Sequence, residues 1–350
     1  MTATRAYLDH NASAPLLPSA RAAICDALDQ IGNPSSVHAE GRAMRQLLDS
    51  ARRQVAGLAG AEPRQVVFTG SATEAIAQAI IGGVRQFEVA RVILSAGEHA
   101  AVAKAAEASG AKIETVGLTT DGRIDVDALK SHLAAAEVSG EMLLFAVHAV
   151  NNETGVMQPL GQIEALVGPT RHLLFVDAVQ ALGKMQLDFA ARATDMMAIS
   201  AHKIGGPAGA GALLVKAHAD EVRIIPGGGQ ERGRRGGTEP ISLIAGFGAA
   251  AEAYTDALDL DVRQTLIADF ESKLRMMAAD VVIFGEAAPR VGTVCNFAIP
   301  GVQASVAMMA LDLDGVAVSS GSACSSGKVG RSHVLEAMGL NEDEISTALR

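Results

Sequence analysis

Apolar runs of strand length recur along this chain with helical patterns between them, and that alternation restricts the fold more than any other feature. The runs are VVFT (66–69), RVILS (91–95), KIETVGL (112–118), MLLFAVH (142–148), HLLFVDA (172–178), MMAIS (196–200) and GALLV (211–215), separated in most cases by Ala-rich helical segments. A strand that is apolar throughout is buried on both faces, and a helix is the connection that parallel neighbours need. The rhythm therefore predicts an α/β fold with a mainly parallel sheet covered by helices on both sides. Met44, Leu47, Leu48, Ala51, Val55 and Leu58 fall at helical spacing and read as plain core packing. After ISLIAGFGAAAEAY (241–254) a charged helical stretch leads to new strand-like runs, VVIFG and TVCNFAIP, which predicts a change of domain near residue 250.

Composition removes several classes of function. A formal charge of −10 with 3% aromatic residues offers neither a phosphate-backbone grip nor a stacking platform, so nucleic acid is not an expected partner. ERGRRGG (231–237) is a single short basic stretch inside structured surroundings and does not change that. No window is apolar enough for a membrane helix, and MTATRAYLDHN lacks the pattern of a secretory signal, so a cytoplasmic protein with no membrane partner is expected. Cys25, Cys295 and Cys324 are far apart, which encodes neither a disulfide framework nor a metal site. Any cysteine with a chemical role acts alone.

In open parallel sheets ligands sit beyond the carboxyl ends of the strands. Polar residues gather at those ends here: Thr69-Gly70-Ser71-Ala72-Thr73-Glu74, Glu98-His99, Asn151-Asn152-Glu153, Asp177 with Gln180, and Ser200 with His202 and Lys203. Singly, each is an ordinary loop or capping group. Together they outweigh that reading. TGSATE at a helix start can seat a phosphate on backbone N–H groups and a hydroxyl. There is no Gly-x-x-x-x-Gly-Lys and no strand-linked Gly-x-Gly-x-x-Gly, so a nucleotide is not the evident source of that phosphate. A strand-end lysine for a Schiff base, a carboxylate for a ring nitrogen and a hydroxyl turn for one phosphate are the needs of pyridoxal 5'-phosphate.

These stretches carry a family resemblance. YLDHNASAP (7–15), GNPSSVHAEGR (32–42), TGSATEA (69–75), AGEHAAV (96–102), VNNETG (150–155), DAVQ (177–180), SAHK (200–203), GGGQERGRRGGT (227–238) and SSGSAC (319–324) occur in that order, and the chain resembles the cysteine desulfurases of the class V aminotransferase family. The resemblance implies the fold type I of pyridoxal-phosphate transferases. Its parts would be a large cofactor domain over 13–250, with a mainly parallel seven-stranded sheet, and a smaller α+β domain from 1–12 and 251–350 carrying a mobile cysteine loop at about 319–333. SSGSAC resembles the branch that supplies sulfur for iron–sulfur clusters and RNA thiolation.

The resemblance also assigns roles. Lys203 would hold the cofactor and move protons at the substrate α-carbon, Asp177 would pair with the ring nitrogen, Gln180 with the phenolic oxygen, and His99 would lie over the ring. Ala72, Thr73, Ser200 and His202 would hold the phosphate, with Thr238 reaching in from a second subunit of a homodimer. Asn152 and Arg350 would meet the substrate carboxylate. Cys324 would take sulfur from L-cysteine as a persulfide, leaving L-alanine, and pass it to an acceptor such as an iron–sulfur scaffold protein. Family members continue past this arginine, so a truncated or unusual chain end is expected at Arg350. Val179, Ala201, Gly236 and Ala149 (with His148 one place earlier) depart from the family pattern and remove no required group. A selenocysteine lyase on the same scaffold, or a non-catalytic dimeric docking platform, are the alternatives, and the presence of Lys203, Asp177 and Cys324 argues against the platform.

Overall fold

The computed structural model describes residues 5–257, 260–320 and 331–350. In chain order its strands are β1 (Ala6–Tyr7), β2 (Val66–Thr69), β3 (Arg91–Ser95), β4 (Lys112–Val116), β5 (Leu143–His148), β6 (Leu173–Asp177), β7 (Met196–Ser200), β8 (Gly211–Val215), β9 (Val282–Ile283), β10 (Phe297–Ala298), β11 (Val316–Ala317) and β12 (Ala348–Leu349). The helices of the first part are α1 (Pro18–Leu28), α2 (Ala39–Ala59), α3 (Ala72–Gln86), α4 (Ala100–Ser109), α5 (Val126–Ser139), α6 (Leu160–Val167) and α7 (Ile241–Ala257). Those that follow are α8 (Leu260–Met277), α9 (Ala304–Leu313), α10 (His333–Ala337) and α11 (Glu342–Ser346).

All seven apolar runs form one sheet in the order β2-β8-β7-β6-β5-β3-β4. Only β8 runs against the others, pairing antiparallel with both β2 and β7. Successive side chains of a strand point to opposite faces, and here both faces are filled. Phe145, Val147, Leu174, Val176 and Ile199 pack with α2, α5, α6 and α7 on one side. Leu144, Ala146, Leu173, Phe175 and Ala198 pack with α3 and α4 on the other. This is why the runs read as continuously apolar and not as alternating. The stripe on α2 behaves as its spacing predicts, with Met44, Leu48, Ala51 and Val55 buried and Leu47 and Leu58 at its half-buried margin.

Beyond this sheet, β9, β10 and β12 form a small antiparallel sheet. It packs with α10 and α11 around Phe284, Leu335, Met338 and Ala348. β1 pairs in parallel with β11, so the start of the chain is tied to its last hundred residues. The predicted change of domain near residue 250 falls inside α7, which runs unbroken to Ala257.

Candidate active site

The parallel strands β2, β3, β5, β6 and β7 end on one edge of the sheet at Thr69, Ser95, His148, Asp177 and Ser200, and the antiparallel β8 begins there at Gly211, in register with Thr69 and Ser200. A pocket of about 440 Å³ opens at that edge. Nine residues named from sequence line it: Ala72, Thr73, His99, Asn152, Asp177, Gln180, Ser200, His202 and Lys203. Thr238 is exposed and not among the lining residues, and Arg350 is set behind the wall. Cys324 lies outside the described residues.

Two helix starts face the pocket. Ser71 caps α3 by accepting from Glu74 N, and Ala72 and Thr73 open its first turn. The turn is braced from behind. The Glu74 carboxylate accepts from Gly70 N at 2.8 Å and from one edge of the Arg235 guanidinium, Nε at 2.7 Å and Nη2 at 3.2 Å. Gly211 is required opposite, since a Cβ there would stand 2.6 Å from the carbonyl carbon of Ser71 and 2.8 Å from Ala72 N. His99 caps α4 through Nδ1, which accepts from Ala101 N at 3.1 Å. The capping role open to an isolated histidine and the place in the pocket wall are thus held by the same residue.

Asp177 is buried at the end of β6 and accepts from Val179 N at 2.9 Å. Burial pushes its carboxyl above the usual range, while that hydrogen bond and the nearby His99, His148 and Lys203 pull the other way. A buried carboxylate so placed is stabilised by a cationic partner. Lys203, on the turn that follows β7, donates from Nζ to the main-chain oxygens of Asn11 at 2.6 Å and Ala12 at 2.9 Å. Beside it the His202 imidazole is held down to about 4 by burial and by Lys203, so near neutral pH it is uncharged.

Four groups of the site had no assignment from sequence. Asn11 joins several residues: its side chain donates to Asn152 O at 3.0 Å and its main-chain oxygen also accepts from Gln180 Nε2 at 2.9 Å. Lys184 is buried and donates to Asn11 Oδ1 at 2.8 Å and to Gln180 Oε1. Burial and then Lys203 push its amine down to about 7. His148 and Glu98 form a buried pair, in which Glu98 Oε1 contacts both His148 N (2.7 Å) and Nδ1 (2.8 Å). The four-residue spacing of Gln180 and Lys184 was a usable signal for a shared helical turn. Asn11 lies within the YLDHNASAP stretch, but its contacts with Asn152, Gln180 and Lys184 come from tertiary packing and not from any local pattern.

Arg350 has a side chain only 3% exposed and donates to Asp9 Oδ1 at 2.9 Å and to Asn152 O at 3.1 Å. Its backbone exchanges hydrogen bonds with Ser319, whose hydroxyl donates to the other oxygen of Asp9. The guanidinium therefore stands one residue behind the pocket, on the backbone of a residue that lines it. Neighbouring Glu153 accepts from the Ser332 hydroxyl, and burial pushes its carboxyl up to about 7.

Among the described residues no cluster of three or more His, Cys, Asp or Glu could hold a metal ion, and no helix is long and apolar enough to cross a membrane. The arrangement suits a small anionic cofactor with a basic ring nitrogen and a carbonyl group. The first turn of α3, Ser200 and a neutral His202 could receive the anion, Asp177 the ring nitrogen, and Lys203 the carbonyl carbon.

Comparison with known proteins agrees with this chemistry. The model of the aminotransferase class-V family matches residues 6–339. A cysteine desulfurase of a Nostoc species is 35% identical over 98% of this chain and 86% of its own length. The mitochondrial cysteine desulfurase of Drosophila melanogaster is 37% identical over 98% of this chain and 75% of its own. Among solved structures, a NifS-like protein from Rickettsia africae superposes with a TM-score of 0.87 at 29% identity, over 99% of this chain and 92% of that one. A protein called SspA, solved in complex with cysteine, gives 0.85 at 28% identity, over 99% and 98%.

Proposed function

The chain belongs to the cysteine desulfurases of the class-V aminotransferase family, and on that premise we propose that its pocket binds pyridoxal 5'-phosphate and that it passes the sulfur of L-cysteine to Cys324. The observation that carries the reading is the convergence of Lys203, Asp177 and the first turn of α3 on one pocket.

In this reading Lys203 is the covalent attachment point. Asp177 keeps the ring nitrogen protonated, and that protonation in turn relieves the cost of burying the carboxylate. The backbone N–H groups of Ala72 and Thr73, the Thr73 and Ser200 hydroxyls and His202 would hold the phosphate, with Thr238 contributed across a homodimer. The bound group supplies an electron-accepting ring that stabilises negative charge at the substrate α-carbon. Lys203 would carry the proton at that carbon. His99, which lines the pocket, would lie over the ring. Asn152 and Arg350 would orient the substrate carboxylate, Arg350 from its place behind the wall on Asn152 O and Asp9. L-Alanine leaves, and the sulfur stays on Cys324 as a persulfide for an acceptor protein that builds iron–sulfur clusters or thiolates RNA. A cytoplasmic location, where thiols are kept reduced, suits this transfer.

Mixing the purified holoenzyme with L-cysteine and measuring alanine and sulfide together, with a reductant present, tests the reading. Equal amounts of both are expected. Alanine without sulfide, or neither product from a protein that carries the cofactor, would overturn it.

A further inference from the structure

Lys184 is a buried amine next to the site that none of the roles above employs, and its contacts fix the orientation of two amides. It donates to Gln180 Oε1 and, at 2.8 Å, to Asn11 Oδ1. The amine donates in both contacts, so each amide beside it presents its oxygen to Lys184. Both amide NH2 groups are then turned away from Lys184. That of Asn11 goes to Asn152 O at 3.0 Å. That of Gln180 uses one N–H on Asn11 O at 2.9 Å, which leaves the second for the pocket that Gln180 lines. The flipped Gln180 amide has nearly the same shape but would turn its oxygen toward the pocket and toward Asn11 O. Asn11 O disfavours that orientation by accepting from Nε2, and Lys184 disfavours it by donating to Oε1, so removing the amine leaves one of the two restraints.

We propose that Lys184 is a positioning residue: by holding the Gln180 amide oxygen away from the pocket, it makes Gln180 a hydrogen-bond donor, and only a donor, toward the cofactor's phenolic oxygen. This rests on the cofactor reading above and adds to it. A donor at that oxygen favours its ionised form, and an amide oxygen in the same place favours the protonated form. Lys184 thereby sets the protonation state of a ring it does not touch. Asn11 extends the same control, because the oxygen that takes the Gln180 N–H also takes Lys203 Nζ at 2.6 Å.

The test is a pH titration of the visible band of purified holoenzyme, which reports the cofactor's protonation and not turnover. Lys184→Met is expected to move the midpoint upward by on the order of one pH unit, about tenfold in the equilibrium. Loss of the lysine's charge alone would also raise the midpoint, so the change is repeated in a Gln180→Leu background. If Lys184 acts through Gln180, Lys184→Met adds nothing there. Lys184→Arg, which keeps a cationic donor beside Gln180 Oε1, should leave the midpoint close to that of the wild type, which keeps a readout should the methionine variant not fold; a shift there as large as about one pH unit also overturns the role. An unchanged midpoint in Lys184→Met, or a shift carried undiminished into the Gln180→Leu background, overturns the role of Lys184. A holoenzyme preparation without a borohydride-sensitive visible band overturns the cofactor reading instead.

Discussion

Lys203 Nζ donates to the main-chain oxygen of Asn11 at 2.6 Å, across 192 residues of chain. The amine at the end of β7 is thus aimed by the segment that precedes α1. The same oxygen accepts from Gln180, so the N-terminal stretch acts as a shared hydrogen-bonding rail for the site.

The first prediction concerns which lysine carries the cofactor. Lys184 is the natural competitor, since its amine is pushed down to about 7 and is a good nucleophile near neutral pH. Its hydrogen bonds to Gln180 and Asn11 keep it in the wall, however, and Lys203 is the lysine that lines the pocket. Borohydride reduction followed by peptide mapping should place the label on Lys203. Recovery on Lys184 or Lys216 would reject the assignment.

Why some of this was readable from sequence and some was not follows from where the information sits. Asp177 and Ser200 stand at the ends of apolar runs, and Lys203 three residues past one, so a local pattern located them once the sheet was inferred. The α2 stripe was legible for the same reason. Asn11 and Arg350 come from opposite ends of the chain and meet on the backbone oxygen of Asn152, a relationship that no periodicity encodes. The shift of composition near residue 250, from ISLIAGFGAAAEAY to a charged stretch, falls within one helix, α7, which runs to Ala257.

A second prediction concerns Arg350. Its two nitrogens hold Asp9 and Asn152 O in a fork that a lysine, a single point charge, cannot reproduce. Arg350→Lys should raise KM for L-cysteine about tenfold, a loss of about 1.4 kcal/mol, while the visible band persists. An unchanged KM in steady-state assays would show that this arginine does not meet the substrate.

The third prediction is a pH dependence of stability. Burial raises the Glu153 carboxyl from 4.5 to about 7 in the folded protein, with Ser332, Arg350 and His99 opposing the shift. A folded-state value above the unfolded one means that the native state binds the extra proton. The stabilising contribution is therefore complete below pH 4.5 and is lost as pH rises through 7. That is on the order of 3 kcal/mol. Glu153→Gln keeps an oxygen for the Ser332 hydroxyl and removes the titration. Urea denaturation of both proteins from pH 4.5 to 8 should show the wild type losing stability relative to the variant by roughly that amount. A difference that stays flat with pH would refute the buried, proton-binding state of Glu153.

The last prediction separates the three cysteines. A sulfur acceptor must present a thiolate. Cys295 cannot do so near neutral pH: it is buried, and that burial, with Glu271 close by, pushes its thiol up to about 12. Cys25 is exposed on α1, a helix that contributes no residue to the pocket wall. This leaves Cys324, which lies outside the described residues but inside a Gly- and Ser-rich stretch, SSGSACSSGKVGRSH. The described flanks of that stretch are joined to the site. Ser319 is bound to Arg350 and Asp9, while Ser332 is bound to Glu153 and His333 to the Glu98 backbone oxygen. Cys324→Ser should keep the cofactor's visible band and the spectral change caused by L-cysteine, yet form no persulfide and drop sulfide release to background. Cys25→Ser and Cys295→Ser should retain turnover. Persulfide mapped by mass spectrometry to Cys25 or Cys295, or full turnover by Cys324→Ser, would show that sulfur leaves this pocket by another route.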